Sequence, residues 1–401
     1  MTLSHGRHAV SIPGPSVIPD RVLRAMHRAM PNIYEGELVD VSNGILAELP
    51  GIARTRGDAF IAIANGHGAW EMALTNTLSR GERVLVLESG RFAVGWGRMA
   101  ESLGIEVEVL NAQRRHAVDP AAVEERLRAD RAHDIRAILV VQIDTASSVV
   151  NDIAAIRQAM HAAGHPALLM VDCIASLGCV RYEMDAWGVD VTVAGSQKGL
   201  MVPPGLSFTW AADRAWEAHA RADLRTAYWD WTQRAAEGPH YARYCGTPPV
   251  QHIWALREAL DMIAEEGLEA IWARHRVFAD AVRAAVEAWS APGGLAFHVE
   301  EPAERSDAVT TILTGGVDAA RLRRVAESHA GLTLGLGLGD YQETTFRIGH
   351  MGHLNPPMVL GTLGTVEAVL EAMGAPMGAS GVAAAAARIG QELAVAASAE
   401  G

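Results

Sequence analysis

Cysteine is scarce in this chain, with three among 401 residues. Cys173, Cys179 and Cys245 have no metal-ligand spacing, and an odd number cannot all pair within one molecule. A disulfide scaffold is therefore not expected, and reduced thiols in a cytoplasmic protein are the simplest reading. Aromatic residues make up only 5% of the chain. Basic residues are outnumbered, 34 against 47 acidic ones, which gives a formal charge of −13. With that balance, and no basic cluster interleaved with aromatics, no nucleic-acid partner is expected. No apolar run approaches the roughly 20 residues of a membrane span, and the first residues lack a charged-then-apolar leader pattern. The sixteen histidines are scattered, and the pair His350 and His353 does not make a metal site by itself.

What is present is apolar length. At 49% hydrophobic, 401 residues can bury a large core, and two domains are expected. Pro13, Pro15 and Pro19 predict an extended arm over 1–20 without regular structure. From 21 to 265, apolar runs such as Val84–Leu87 and Ala137–Val141 alternate with helical spacing at Ile153–Ala163 and Trp254–Glu265. Such alternation predicts a mostly parallel sheet covered on both faces. Over 266–377 the pattern changes to a smaller α+β domain: a helix at Leu268–Ser290, a strand at Ala308–Leu313, a helix near Ala319–His329, a strand at Thr345–Ile348. Asn355-Pro356-Pro357 then opens a helix through Met373, with Asn as cap and Pro in the first turn. An Ala/Gly-rich tail follows over 378–401, with room for one helix that frays.

The most informative stretch is Ala194-Gly195-Ser196-Gln197-Lys198-Gly199-Leu200. It follows an apolar β-branched segment and precedes Pro203-Pro204-Gly205. A lysine there either snorkels to water or sits buried with a lowered pKa, ready to attack a carbonyl. Upstream, the apolar run Ala167–Val171 ends in Asp172. A carboxylate at that place is either a cap or turn residue, or the partner of a buried cation such as a pyridinium. The 26-residue separation of Asp172 and Lys198 lets both emerge at one edge of a parallel sheet.

On these residues the chain resembles the class V, fold-type I aminotransferases that use pyridoxal phosphate, and within them the serine–, alanine– and aspartate–glyoxylate aminotransferase group. The matching stretches run from Ile12-Pro13-Gly14-Pro15 to Phe346-Arg347-Ile348-Gly349-His350, with Ser196–Leu206 the most specific block. The resemblance implies an α/β fold with a mostly parallel seven-stranded sheet and a smaller C-terminal α+β domain. It also implies catalysis by Lys198, through an imine to the cofactor, and by Asp172 at the pyridine nitrogen.

Other roles follow from the resemblance together with local chemistry. Asn65-Gly66-His67-Gly68 is a glycine-rich turn entering a helix, either an ordinary connection or a phosphate cradle. The family uses it as the cradle, which assigns Gly66, His67 and Gly68 to the cofactor. Phe92, alone readable as core, matches the ring that stacks on the pyridine. Thr145 matches a hydroxyl residue near the cofactor, Ile174 the contact on the opposite ring face, and Gln197 a phosphate ligand. Tyr244 and Thr247 match residues that reach the phosphate of a second subunit, so a homodimer with shared sites is implied. On residues alone, that segment reads as a surface loop. Arg347, in an apolar strand, needs an anion: a structural carboxylate, or the substrate's α-carboxylate held bidentately. Gly14 and Pro15 match an arm that closes over substrate.

Two departures stand out. The family places Glu and Gly where this chain has Asp144 and Ser148. Tyr34-Glu35-Gly36 stands where the nearest members of the group carry Asp-His-Arg, so Tyr34 faces substrate without a second cation nearby. That favours alanine or serine over aspartate as donor to glyoxylate. Competing classes fit less well. A desulfurase needs a reactive loop cysteine, for which Cys245 is the candidate. A regulator needs an added DNA-binding module. The run Gly335-Leu336-Gly337-Leu338-Gly339 leads toward a strand, not a helix, which removes the dinucleotide reading.

Overall fold

The computed structural model describes residues 2–399. Strands β1 (Ala9–Ser11), β2 (Asp58–Ala64), β3 (Arg83–Glu88), β4 (Glu106–Asn111) and β5 (Ile135–Val141) are followed by a short hairpin, β6 (Ile143–Asp144) and β7 (Val149–Val150). Then come β8 (Leu168–Asp172), β9 (Val191–Gly195) and β10 (Gly205–Ala211), and in the last third β11 (Ala296–Phe297), β12 (Val309–Leu313), β13 (Leu332–Leu336) and β14 (Thr345–Gly349). Seven of them form one sheet in the order β2-β10-β9-β8-β5-β3-β4. Its strands pair in parallel except β10, which runs antiparallel to both β2 and β9.

Both faces of this sheet are buried, which explains the uninterrupted apolar runs. Leu85, Leu87, Ile138, Val140, Leu169 and Val171 point into one core. Their chain neighbours Val84, Val86, Ala137, Leu139, Leu168 and Met170 point into the other, beneath the helices Gly66–Thr77 and Arg91–Ser102. Each fully buried Val, Leu or Ile contributes about 1.5–3 kcal/mol relative to exposure, so a polar residue on either face costs stability. Asp172 accordingly stands at the end of its strand.

The second sheet has the order β1-β13-β14-β12-β11 and its own core, built from Trp289, Ile312, Phe346, Ile348 and Leu363. The helix Leu268–Trp289 and the helix Pro356–Ala372, capped by the Asn355 side chain on the Met358 N–H, pack there. The tail forms a long helix, Gly381–Ala399, and its last two residues lie outside the described range. The arm corrects the expectation of no regular structure before residue 20. Three residues ahead of the first proline of the trio, Ala9–Ser11, pair in parallel with Leu332–Leu334. The prolines end that strand but do not prevent it.

Candidate active site

The site lies where β8 and β9 end side by side. Asp172 closes β8 in register with Val193 of β9. The chain then turns through Ser196, whose hydroxyl donates to the Pro203 carbonyl at 2.7 Å, and Lys198 follows on the turn. A cavity of about 190 Å³ opens there, walled by Gly66, His67, Trp70, Phe92, Thr145, Asp172, Ile174, Gln197 and Lys198. Nine residues from five separate stretches thus meet in one place, and eight of them are those expected to hold a cofactor.

Burial shapes the two ionisable groups at its centre. It pulls the Lys198 ammonium down to about 8, assisted by the Arg347 charge and opposed by Asp172. It pushes the Asp172 carboxyl up to about 7, against the Ile174 and Trp70 N–H donors. Asp172 is 3% exposed and accepts from Ile174 N at 2.7 Å and from Trp70 Nε1 at 2.8 Å. A carboxylate in that setting calls for a cationic partner.

Phe92 is placed through Asp144. That carboxylate is fully buried and accepts from Phe92 N at 2.8 Å and Ala93 N at 3.2 Å, fixing the first turn of Arg91–Ser102. Its other oxygen accepts from Ala146 N. The departure at Ser148 also has a physical reading. Ser148 has φ 68, the left-handed region that favours glycine, and its hydroxyl bonds Thr311 on β12.

Arg347 lies on β14 with 7% exposure. Its Nε donates to Leu336 O at 2.7 Å and its Nη1 to Thr145 O at 2.6 Å. Among the described residues no carboxylate stands within ion-pair distance of it, and burial pulls the guanidinium down to about 10. The structural-carboxylate alternative therefore lacks its carboxylate. The arm reaches the same cleft. Ser16 N and Oγ both donate, at 2.8 Å, to Gln197 O and Lys198 O, and the Pro13 carbonyl accepts from Lys198 Nζ. Gly14 has φ 97, and a Cβ on it would collide with the Lys198 side chain. Pro15 follows on the exposed side of the arm.

Not every expected residue converges. Tyr34 is 70% exposed and packs edge-on against Tyr241 with centroids 6.0 Å apart, away from this chain's own Lys198. Thr247 is exposed on the loop before the helix Val250–Glu266. Tyr244 is 1% exposed within its own chain, and its hydroxyl is bonded to Ser42. Cys245 is exposed and points to Ala227 O. Sequence reading passed over Trp70 and Pro13. An indole in Ala69-Trp70-Glu71, one turn past the glycines, was a usable signal for the first; no signal marks the second. It also passed over a count: Lys198 is the only lysine in the chain.

Comparison with known proteins decides the family. Residues 58–338 match the family Aminotransferase class-V. The chain belongs to the class-V aminotransferases. A serine–glyoxylate aminotransferase of Methylorubrum extorquens is 40% identical over 370 residues, covering 90% of each chain. An L-aspartate–glyoxylate aminotransferase of Paracoccus denitrificans is 38% identical over 387 residues, covering 94% of this chain and 95% of its own. The solved pyridoxamine–pyruvate aminotransferase of Mesorhizobium loti superposes with TM-score 0.88 at 28% identity, over 98% of this chain and all of that one. The protein is thus a pyridoxal phosphate-dependent transferase of the fold-type I group. The residues fit that cofactor. A buried lysine and a buried carboxylate share one cavity, and Gln197 on its wall has an Oε1 buried without a partner. The Asn65 side chain caps Gly66–Thr77 by accepting from His67 N, which aims the helix start at the same cavity. No helix among the described residues is long and apolar enough to cross a membrane.

Proposed function

We propose that this aminotransferase moves the amino group of a small amino acid, alanine or serine, to glyoxylate, giving glycine and the 2-oxo acid of the donor. One observation carries the reading: a buried lysine of lowered pKa shares a cleft with an arginine that meets two carbonyls and no carboxylate. The names of the 40% and 38% identical relatives support glyoxylate as acceptor.

Bound pyridoxal phosphate supplies a carbonyl for the amino group and a ring that accepts electrons. Lys198 Nζ is its attachment point. The Lys198 amine, when not holding the cofactor, would serve as the base that moves the substrate's α-proton. Arg347 holds the α-carboxylate of donor and acceptor in turn, through the guanidinium edge that the two carbonyls leave open. Asp172 balances positive charge at the ring nitrogen. Phe92 and Ile174 cover the ring and exclude water, and Thr145, Gln197, Gly66, His67 and Gly68 hold its polar edge and phosphate. Gly14 and Pro15 close over the substrate. Because donor and acceptor use one site in succession, the kinetics are ping-pong.

The site is completed by a second copy. Exposed Thr247 and Tyr34 lie on the surface of their own chain and are available to a partner's cleft. Three free cysteines support a cytoplasmic location. A second reading, aspartate as donor, draws on the relative that is 38% identical. The test mixes purified enzyme with an amino-acid panel and follows loss of the cofactor's visible band. Borohydride reduction beforehand should fix one cofactor per chain, at the single lysine. A protein that gains no visible band with pyridoxal phosphate would refute the whole reading.

A further inference from the structure

The helix Gly66–Thr77 carries a large side chain whose place is hard to account for as filling. Trp70 is 1% exposed and stands on the cofactor cavity. Four other indoles, Trp96, Trp231, Trp254 and Trp272, have an Nε1 buried without any partner. In this protein an indole can therefore fill space and leave its N–H unused. Trp70 does not. Its Nε1 donates to Asp172 Oδ2 at 2.8 Å, while Oδ1 takes the Ile174 N–H at 2.7 Å. The ring is fixed on three sides. Trp96 stacks on it at 6.0 Å and 15°, Phe92 meets it edge-on at 6.4 Å, and His67 at 4.4 Å. The donor thus has one direction available, and that direction is the carboxylate.

We propose that Trp70 is a positioning residue whose indole N–H keeps Asp172 ionised and turns the remaining lone pair of Oδ2 toward the cofactor's ring nitrogen. The proposal rests on the reading that Asp172 meets that nitrogen. A carboxylate that accepts an N–H bond is favoured over its protonated form, and the more so where water is excluded. Burial works against Asp172, and so does the charge of Asp144 in the hairpin. Lys198 and the two N–H donors work for it. His67, on the same helix as Trp70, flanks the indole and does not touch the carboxylate. Without the indole donor, only Ile174 N and the Lys198 charge oppose burial and Asp144. Asp172 then keeps its proton to a higher pH than in wild type, and while protonated it cannot balance a protonated ring nitrogen.

The test compares the affinity of the apoenzyme for pyridoxal phosphate with its affinity for the 1-deaza analogue, which has carbon in place of the ring nitrogen. Wild type should prefer the natural cofactor. Trp70→Phe, which keeps a ring in the aromatic column, should shrink that preference by at least about tenfold, the worth of a hydrogen bond to a charged group. In an Asp172→Asn background the same substitution should change it less than about threefold, because the charge is already gone. The preference of Trp70→Phe should recover as pH rises. A Trp70→Phe enzyme that keeps the wild-type preference overturns the proposal. A wild type that binds both compounds equally overturns instead the underlying reading of Asp172. Should Trp70→Phe not fold, the indole ¹⁵N–¹H signals of wild-type apoenzyme decide. One of them should titrate with a midpoint near 7 and move in Asp172→Asn, and no such signal means no role for the indole.

Discussion

Lys198 owes its reactivity to where the chain puts it. The end of β9 removes it from water, and burial lowers its pKa to about 8. Only the neutral amine attacks a carbonyl, so below that value most of the lysine is unreactive. The rate at which apoenzyme takes up pyridoxal phosphate should therefore climb as pH rises and level off above about 8. Stopped-flow absorbance across a buffer series measures it, and a rate still rising steeply beyond pH 9 would mean that Lys198 titrates like a solvated lysine. Ser148 allows a second prediction. Its left-handed conformation costs a non-glycine residue about 1–2 kcal/mol, and its bond to Thr311 returns about 0.5–1.5 kcal/mol. Ser148→Gly should then shift the urea-derived stability by less than about 1 kcal/mol, because the two changes offset. At this scale much was legible. Asp172 and Arg347 are charges in apolar strands and Lys198 follows one, and such charges announce a partner. Trp70 and Pro13 were not legible, because a tryptophan and a proline carbonyl look alike whether they pack or donate and accept. The inward turn of Tyr244 onto Ser42 was not legible either, because a sequence does not say which way a side chain turns.

Elements were readable wherever an apolar period ran long enough. The two-faced burial of β3, β5 and β8 follows from unbroken runs, and the helix at Pro356–Ala372 from its Asn355 cap. The arm was harder. Ala9–Ser11 becomes a strand only because β13 lies beside it, a contact more than 300 residues away in the chain that no local pattern encodes. That pairing matters, because it delivers Pro13 and Gly14 to Lys198, and Ser16 then ties the arm to the lysine turn. Gly14→Ala should be harmful out of proportion to its size. The residue has φ 97, and the added methyl would overlap Lys198. Turnover should fall by more than about tenfold while the melting temperature moves only a few degrees, since the arm lies outside both main cores. Near-normal turnover in that variant would show that the arm stands off the lysine in the working enzyme.

The whole molecule sets the two remaining expectations, and both rest on the proposal that a second copy completes the active site. Thr247 and Tyr34 are both exposed, and neither lines the cavity around their own Lys198. In a dimer they belong to the neighbour's cleft. Thr247→Ala should then weaken cofactor binding about tenfold or more, by loss of a hydrogen bond to a charged phosphate. An enzyme that sediments as a fully active monomer at assay concentration would contradict this. The donor preference depends on the same assembly. Arg347 serves the α-carboxylate common to every amino acid, so it cannot discriminate among donors. Discrimination falls to whatever meets the donor side chain, and the segment available for that is Tyr34-Glu35-Gly36. It offers an aromatic hydroxyl and a carboxylate, with no cation. A second carboxylate brought against Glu35 is repelled, whereas the methyl of alanine or the hydroxyl of serine is not. Alanine and serine should therefore exceed aspartate in kcat/KM at saturating glyoxylate. If aspartate proves better by tenfold, which is about 1.4 kcal/mol of transition-state stabilisation, a cation elsewhere in the dimer must reach the donor side chain. In that case Arg347 would still be needed for all three donors, and only the assignment of Tyr34 and Glu35 would fall.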